Sequence, residues 1–260
     1  MAEIQQSLSI QQSLARVHER IAEAALRAHR APEDVTLIAV SKTFPAQAVV
    51  EAFAAGQRDF GENRVEEALP KINEIRDQRK EIGDSRLEIR WHLIGHVQSR
   101  KAKDAVGHFA LIHSVDSLKL ATTINTRISN LQPPIPNPQP ILLECNVSGE
   151  EAKSGFGLAG WDKDAACFEA FTQAVAQIIA LPNLRVCGLM TVAPIVEQPD
   201  QARPYFASLL ALRDALRERF PGVAWEHLSM GMTNDFEPAI AEGATLVRIG
   251  RAIFGERTYV

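Results

Sequence analysis

Thr36-Leu37-Ile38-Ala39-Val40-Ser41-Lys42-Thr43-Phe44 is the stretch whose reading decides the fold. An apolar, β-branched run over 36–41, too short for a helix, ends abruptly on a charged residue. A strand buried on both faces reads this way. A helical stretch follows over 45–55, then a weaker strand over 58–62 and a helix over 64–82. The alternation continues with strands over 90–94, 110–115, 141–147, 184–192, 225–229 and 246–249. Between them lie helical stretches over 99–106, 117–129, 162–180, 201–220 and 236–242. Strands that alternate with helices form a parallel sheet, because parallel neighbours need crossover connections. Eight such units in 260 residues predict an α/β chain forming a single (β/α)8 TIM barrel over 1–260. A doubly wound open sheet is the other architecture. It often carries a Gly-rich turn after its first strand, and Ser41-Lys42-Thr43-Phe44 contains no G-x-G-x-x-G.

Outward from this core, an extra N-terminal helix is predicted over about 3–30. Ile10, Leu14, Val17, Ile21, Ala24 and Ala28 recur every three or four positions, Leu26 falls off that stripe, and Pro32 ends the helical region. The Pro-rich segment 132–140 (QPPIPNPQP) reads as a stiff surface loop rather than a linker, since the alternation continues on both sides.

Hydrophobic residues make up 46% and charged residues 23%, the balance of a globular chain that buries its own core. A net charge of −4 offers no basic footprint for nucleic acid. No apolar run has the length of a membrane span, and the N-terminus lacks the basic and apolar regions of a signal peptide. Cys145, Cys167 and Cys187 form no C-x-x-C pair, which argues against a disulfide framework or zinc knuckle. The expectation is a cytoplasmic protein with no metal, nucleic-acid or membrane partner.

Barrel chemistry sits at the C-terminal ends of strands. That rule selects Lys42, Glu62-Asn63, Gly95-His96, Asp116, Asn146-Val147-Ser148, Met190-Thr191, Ser229-Met230-Gly231 and Gly250-Arg251. A lysine after a buried strand is partly desolvated, which frees its amine for attack on an aldehyde. It can equally snorkel from the rim, and position alone leaves both readings open. Loops after the last two strands commonly hold phosphate. Ser229 offers a hydroxyl there, while Gly231 and Gly250 let backbone N–H groups approach an anion or serve only as turns. His92 and His96 are four apart, but Trp91–Ile94 reads as strand, so His92 is expected in the barrel interior and zinc is rejected. Lys153 reads as a flexible surface lysine, with anion gathering as its second reading. Asp235 and Glu237 suit the start of the last short helix.

The motifs at these positions resemble the pyridoxal phosphate homeostasis protein family. They begin with Val40-Ser41-Lys42-Thr43, Phe60-Gly61-Glu62-Asn63-Arg64 and Trp91-His92-Leu93-Ile94-Gly95 with Gln98. Ile112-His113-Ser114-Val115-Asp116, Asn146-Val147-Ser148 with Lys153-Ser154-Gly155, and Gly188-Leu189-Met190-Thr191 follow. Leu228-Ser229-Met230-Gly231-Met232 and Val247-Arg248-Ile249-Gly250 with Ile253-Phe254-Gly255 complete the set, so the resemblance spans the barrel. It implies pyridoxal 5'-phosphate (PLP) as cofactor, held as a Schiff base on Lys42. It further implies that Ser229, Met230, Gly231 and Gly250 hold the phosphate end, that Arg248 faces the pyridine nitrogen or phosphate, and that Asn63 lies near the ring. The family often has a small hydroxyl residue where this chain has Arg251, so the backbone of residue 251 is the firmer expectation there.

The resemblance implies a PLP-binding homeostasis protein with no catalytic residues of its own, serving PLP-dependent apoenzymes or amino acids. A PLP-dependent racemase-like enzyme is the alternative, because the family is similar to the barrel domain of alanine racemase. Such racemases use a second β-domain and a tyrosine supplied across a dimer. Here five residues follow Gly255, and the two tyrosines are Tyr205, on a helix, and Tyr259. The expectation is a monomer. A phosphate-sugar enzyme on a plain barrel accounts for the phosphate loops but not for the other motifs.

Overall fold

The elements, in chain order, are α1 (Ile10–Arg27), β1 (Thr36–Val40), α2 (Ala46–Ala54), β2 (Asp59–Glu62), α3 (Val65–Glu81) and β3 (Arg90–Leu93). Next come α4 (Ala102–Ala105), β4 (Leu111–Val115), α5 (Leu118–Ser129), β5 (Gln139–Asn146), β6 (Phe156–Gly157) and α6 (Ala165–Ile179). The chain then forms β7 (Leu184–Met190), α7 (Arg203–Arg219), β8 (His227–Met232), α8 (Phe236–Ala241), β9 (Leu246–Ile249) and α9 (Arg251–Phe254). These come from a computed structural model that describes residues 9–81, 89–132 and 134–256.

The strands pair in parallel in the order β1–β2–β3–β4–β5–β7–β8–β9, and β9 returns to β1, closing an eight-stranded barrel. The two-residue β6, which the sequence did not signal, is appended to β5 with Cys145 opposite Phe156. The deciding stretch is the hinge of this closure, since Ile38 lies opposite Arg248 of β9 and Ala39 opposite Phe60 of β2.

Successive side chains of a strand point to opposite faces. Leu37 and Ala39 accordingly join the large core shared with the helices, whereas Ile38 packs inside the barrel with Leu111, Leu142, Cys187, Met190 and Leu246. The same alternation turns Asp59, His92, His113, Ser229 and Arg248, all buried, toward one another from β2, β3, β4, β8 and β9. The barrel interior thus holds an apolar cluster and a polar one, with β4 and β9 contributing to both.

The N-terminal helix starts at Ile10, where Ser9 and Gln12 cap each other reciprocally. Leu14, Val17, Ile21, Ala24 and Ala25 are buried, and Leu26 is 64% exposed, off the stripe as read from the sequence. The predicted residues 3–8 of this helix lie outside the described residues. Because α9 spans only four residues, α1 takes the place beside α8 and α2 that a final barrel helix would fill. Its buried face joins the core that contains Leu37 and Ala39 of β1 and Val247 and Ile249 of β9.

Two predicted strand starts move by one residue, to Asp59 and Leu111, and two move by two residues. The strand expected from Trp225 begins at His227, because Trp225 adopts φ 49 and buries its ring below the strand. The strand expected from Ile141 begins at Gln139, whose N–H donates to the Asn183 carbonyl at 2.8 Å and whose residue pairs with Leu184. Residue 82, predicted to end the second barrel helix, lies outside the described residues. Among the described residues, no helix is long and apolar enough to cross a membrane.

Candidate functional site

At the mouth, β1 ends on a turn closed by the Phe44 N–H donating to the Ser41 carbonyl at 3.1 Å. Inside this turn Thr43 has φ 68, a left-handed conformation that costs a β-branched residue about 1–3 kcal/mol. The turn brings Lys42, half-buried, to a cleft of about 1670 Å³. Phe44 packs on Phe254 of α9 with ring centroids 5.2 Å apart, which ties the turn to the end of the barrel.

Asn63, Arg248, Gly250 and Arg251 line the same cleft as Lys42. Among the described residues, none donates a hydrogen bond to the buried Asn63 Oδ1. Gly95 shapes this corner: a Cβ there would stand 2.4 Å from the Asn63 carbonyl oxygen. Arg248 is 5% exposed, and its guanidinium donates to the Ser229 hydroxyl at 2.6 Å and the Thr191 carbonyl at 2.9 Å. Burial pushes its pKa down to about 10, so it stays cationic at neutral pH.

The structure separates the Ser-Met-Gly segment from the cleft surface. Ser229 is fully buried, and its hydroxyl is engaged by His113 Nδ1 at 2.8 Å as well as by Arg248. The Met230 side chain packs outward in the helical core. Gly231, with φ 91, leaves no room for a side chain, since a Cβ would meet Ala239 Cβ at 2.6 Å. The cleft is lined instead by Met232, Thr233 and Asn234, which follow in the same loop. Arg251 Nη2 reaches Asn234 Oδ1 at 3.3 Å, joining the two loops.

Behind Ser229 the polar side of the barrel continues. His113 Nε2 meets His92 Nδ1 at 3.0 Å, and His92 Nε2 meets Asp59 Oδ1 at 3.0 Å. Arg90 bonds both Asp59 oxygens, at 2.7 and 2.5 Å. Burial, then the repulsion that a proton on its ring would meet from a protonated His92 and from Arg248, hold His113 well below the usual histidine value. Burial alone would raise the Asp59 carboxyl, but the bonds from His92 and Arg90 outweigh it and keep it low. His92 thus lies in the barrel interior, as expected. Across the interior, burial and the neighbouring Asp116 push the Glu144 carboxyl up to about 7 against the pull of Arg248.

Other rim residues are struts. Lys153, expected to be a flexible surface lysine, is bound to Glu150 and donates to the Val192 carbonyl at 3.1 Å. His96 pairs with Asp116 at 3.0 Å. Glu237 ties α8 to Arg20 of α1 at 2.5 Å, and Asp235 accepts from the Met232 N–H at 2.6 Å. Tyr205 packs against the core from α7, and Tyr259 lies outside the described residues. Sequence reasoning missed His113, Glu144, Thr233 and Asn234. For His113 and Glu144 the period-two alternation within their strands was the available signal.

A closed parallel barrel with a lysine after its first strand and a buried arginine on its last defines a class. The family model described as alanine racemase, N-terminal domain, matches residues 13–258. Within that class, the chain belongs to the pyridoxal phosphate homeostasis protein family. It is 41% identical over 248 residues to the pyridoxal phosphate homeostasis protein of Aquifex aeolicus (strain VF5), covering 95% of this chain and 97% of that one. PipY of Synechococcus elongatus, solved with PLP bound, is 36% identical with a TM-score of 0.73, covering 92% of this chain and 100% of that chain. The alanine racemase of Clostridium difficile has a TM-score of 0.65 at 14% identity, covering 95% of this chain and 58% of that one, a likeness of fold alone.

Proposed function

We propose that this chain binds PLP reversibly at the barrel mouth, held as a Schiff base on Lys42, and serves intracellular PLP homeostasis without robust catalysis of its own. One juxtaposition carries the reading. Lys42, the unpartnered Asn63 Oδ1 and the buried Arg248 guanidinium share one cleft, in a family whose member PipY has been solved with PLP. PLP supplies an aldehyde that condenses with an amine and releases water. Lys42 provides that amine. Asn63 offers an acceptor beside the ring. Arg248, which only donates, would disfavour a proton on the pyridine nitrogen of bound PLP and so would weaken the ring as an electron sink. Gly250 and Arg251, which line the cleft, offer their backbone to the phosphate, while Ser229, Met230 and Gly231 lie behind the cleft wall, with the Ser229 hydroxyl bracing Arg248. Besides PLP, its partners are PLP-dependent apoenzymes or amino acids, and the protein works as a cytoplasmic monomer.

Borohydride reduction of the PLP-loaded protein, followed by peptide mapping, tests this. The cofactor should be fixed on the peptide containing Lys42, and Lys42→Ala should abolish both the fixation and the near-visible band. An unchanged band in Lys42→Ala sinks the assignment. The same wild-type protein, incubated with single amino-acid enantiomers, should give no racemization above free PLP. Robust turnover would favour the racemase-like reading.

A further inference from the structure

The polar side of the barrel interior has a direction. Arg248, Ser229, His113, His92 and Asp59 are joined by four contacts of 2.6, 2.8, 3.0 and 3.0 Å. A guanidinium can only donate hydrogen bonds, and an ionised carboxylate can only accept them. With one proton on each imidazole ring, the donors and acceptors permit one arrangement. Arg248 Nη1 donates to Ser229 Oγ, whose hydroxyl donates to His113 Nδ1. His113 Nε2–H donates to His92 Nδ1, and His92 Nε2–H donates to Asp59. The opposite tautomers would set a lone pair of His92 against the Asp59 carboxylate. The depressed basicity of His113 keeps its ring neutral.

Arg248 is therefore bonded directly to neutral oxygens, Ser229 Oγ and the Thr191 carbonyl. The buried cation is compensated by the nearby carboxyl groups of Asp235 and Glu144, so the bonds to Ser229 and Thr191 fix its direction rather than its charge. The chain of polarised bonds leads to Asp59, the first residue of β2, at the opposite end of the barrel from the mouth. We infer that Asp59 is a positioning residue for the cofactor cleft, acting through His92, His113 and Ser229 to orient Arg248. This rests on the PLP reading for its consequence and on the barrel interior alone for its geometry.

Asp59→Asn removes the charge at nearly constant shape. Its amide can donate to His92, which allows the chain to reverse. Ring 15N spectra of the cofactor-free protein should show a single Nε2–H tautomer for both His92 and His113 in wild type, and mixed tautomers in Asp59→Asn. PLP retention should weaken by roughly tenfold in the variant, the loss expected when a group that orients a buried ligand contact is removed. Arg90→Gln is the control. It breaks the rim ion pair but keeps the carboxylate on His92, so tautomers should persist and retention should stay within about twofold.

Three results would overturn the inference. One is a wild-type His113 protonated on Nδ1, which needs no variant to fold. Another is an Asp59→Asn protein with wild-type retention, whatever its tautomers. The third is an Arg90→Gln protein that reproduces the Asp59→Asn loss, which would mark general packing damage. Failure of wild type to bind PLP would instead strike the proposed function, leaving the tautomer spectra to judge the chain of bonds.

Discussion

Behind Lys42 and Asn63, the ammonium of Lys71 on α3 reaches the ends of β1 and β2. It donates to Glu62 Oε1 at 2.6 Å and to the Ser41 carbonyl at 2.8 Å, while the Ser41 hydroxyl bonds the same Glu62 oxygen at 2.7 Å. Behind Arg248, on the β8–β9 side, stand a serine and two histidines. The first assembly lies between barrel and helix and sets two full charges in contact. The second lies inside the barrel and holds two charges, Arg248 and Asp59, apart at the ends of a series of neutral links. A contact pair removed from water fails badly when one member is lost, because the other is left charged and buried. A chain of neutral links loses one hydrogen bond at a time. The side that carries the lysine is therefore held for stability, and the side that carries the arginine is held for orientation.

The contrast is most sharply broken at Lys71. Lys71→Met leaves Glu62, which is fully buried, without its cation, and should cost about 3–5 kcal/mol in chemical denaturation. Adding Glu62→Leu should recover much of that loss. A single variant as stable as wild type would show that the pair does not clamp the two strand ends.

Glu144 tests the other side by pH. Its carboxyl rises from an ordinary 4.5 to about 7, so the folded state holds a proton that the unfolded chain has released. Stability from this group is fully present below pH 4.5 and is lost as pH rises to 7, by about 3 kcal/mol at most. His113 acts oppositely: its depressed basicity is lost as stability when pH falls below 6.5. The difference between wild type and Glu144→Gln across pH 4.5–7 isolates the carboxyl. A flat difference would mean that Glu144 ionises like an exposed side chain.

Ser229→Ala should have the smallest effect. It deletes the hydroxyl that links Arg248 to His113, and should cost about 1–3 kcal/mol with the barrel intact, together with weaker PLP retention. Unchanged retention in equilibrium dialysis would remove Ser229 from the site.

Much of the fold was legible because its signals are local. The 36–41 run and its successors carry strand character within a few residues, and the period of the N-terminal stripe shows which face of α1 is buried. The cleft was legible in part. The strand-end rule finds Lys42, Asn63, Gly250 and Arg251, since their place along a strand sets their height in the barrel. It finds Ser229 too, but not the direction of its hydroxyl. The rule missed His113, which lies before the end of its strand, and Lys153, which the loop folds back onto the Val192 carbonyl. A two-residue strand such as β6 is too short to leave a pattern.

The sequence by itself determined the alternation, the barrel class, the family and the lysine at the mouth, because each resides in order and spacing along the chain. Only the tertiary structure decided what stands behind those residues. Ser229 and His113 are 116 positions apart, and they meet because barrel closure sets every strand's height against strands distant in sequence. The direction of the bonds from Arg248 to Asp59 follows from that meeting, since donors and acceptors select a tautomer only once they are within reach.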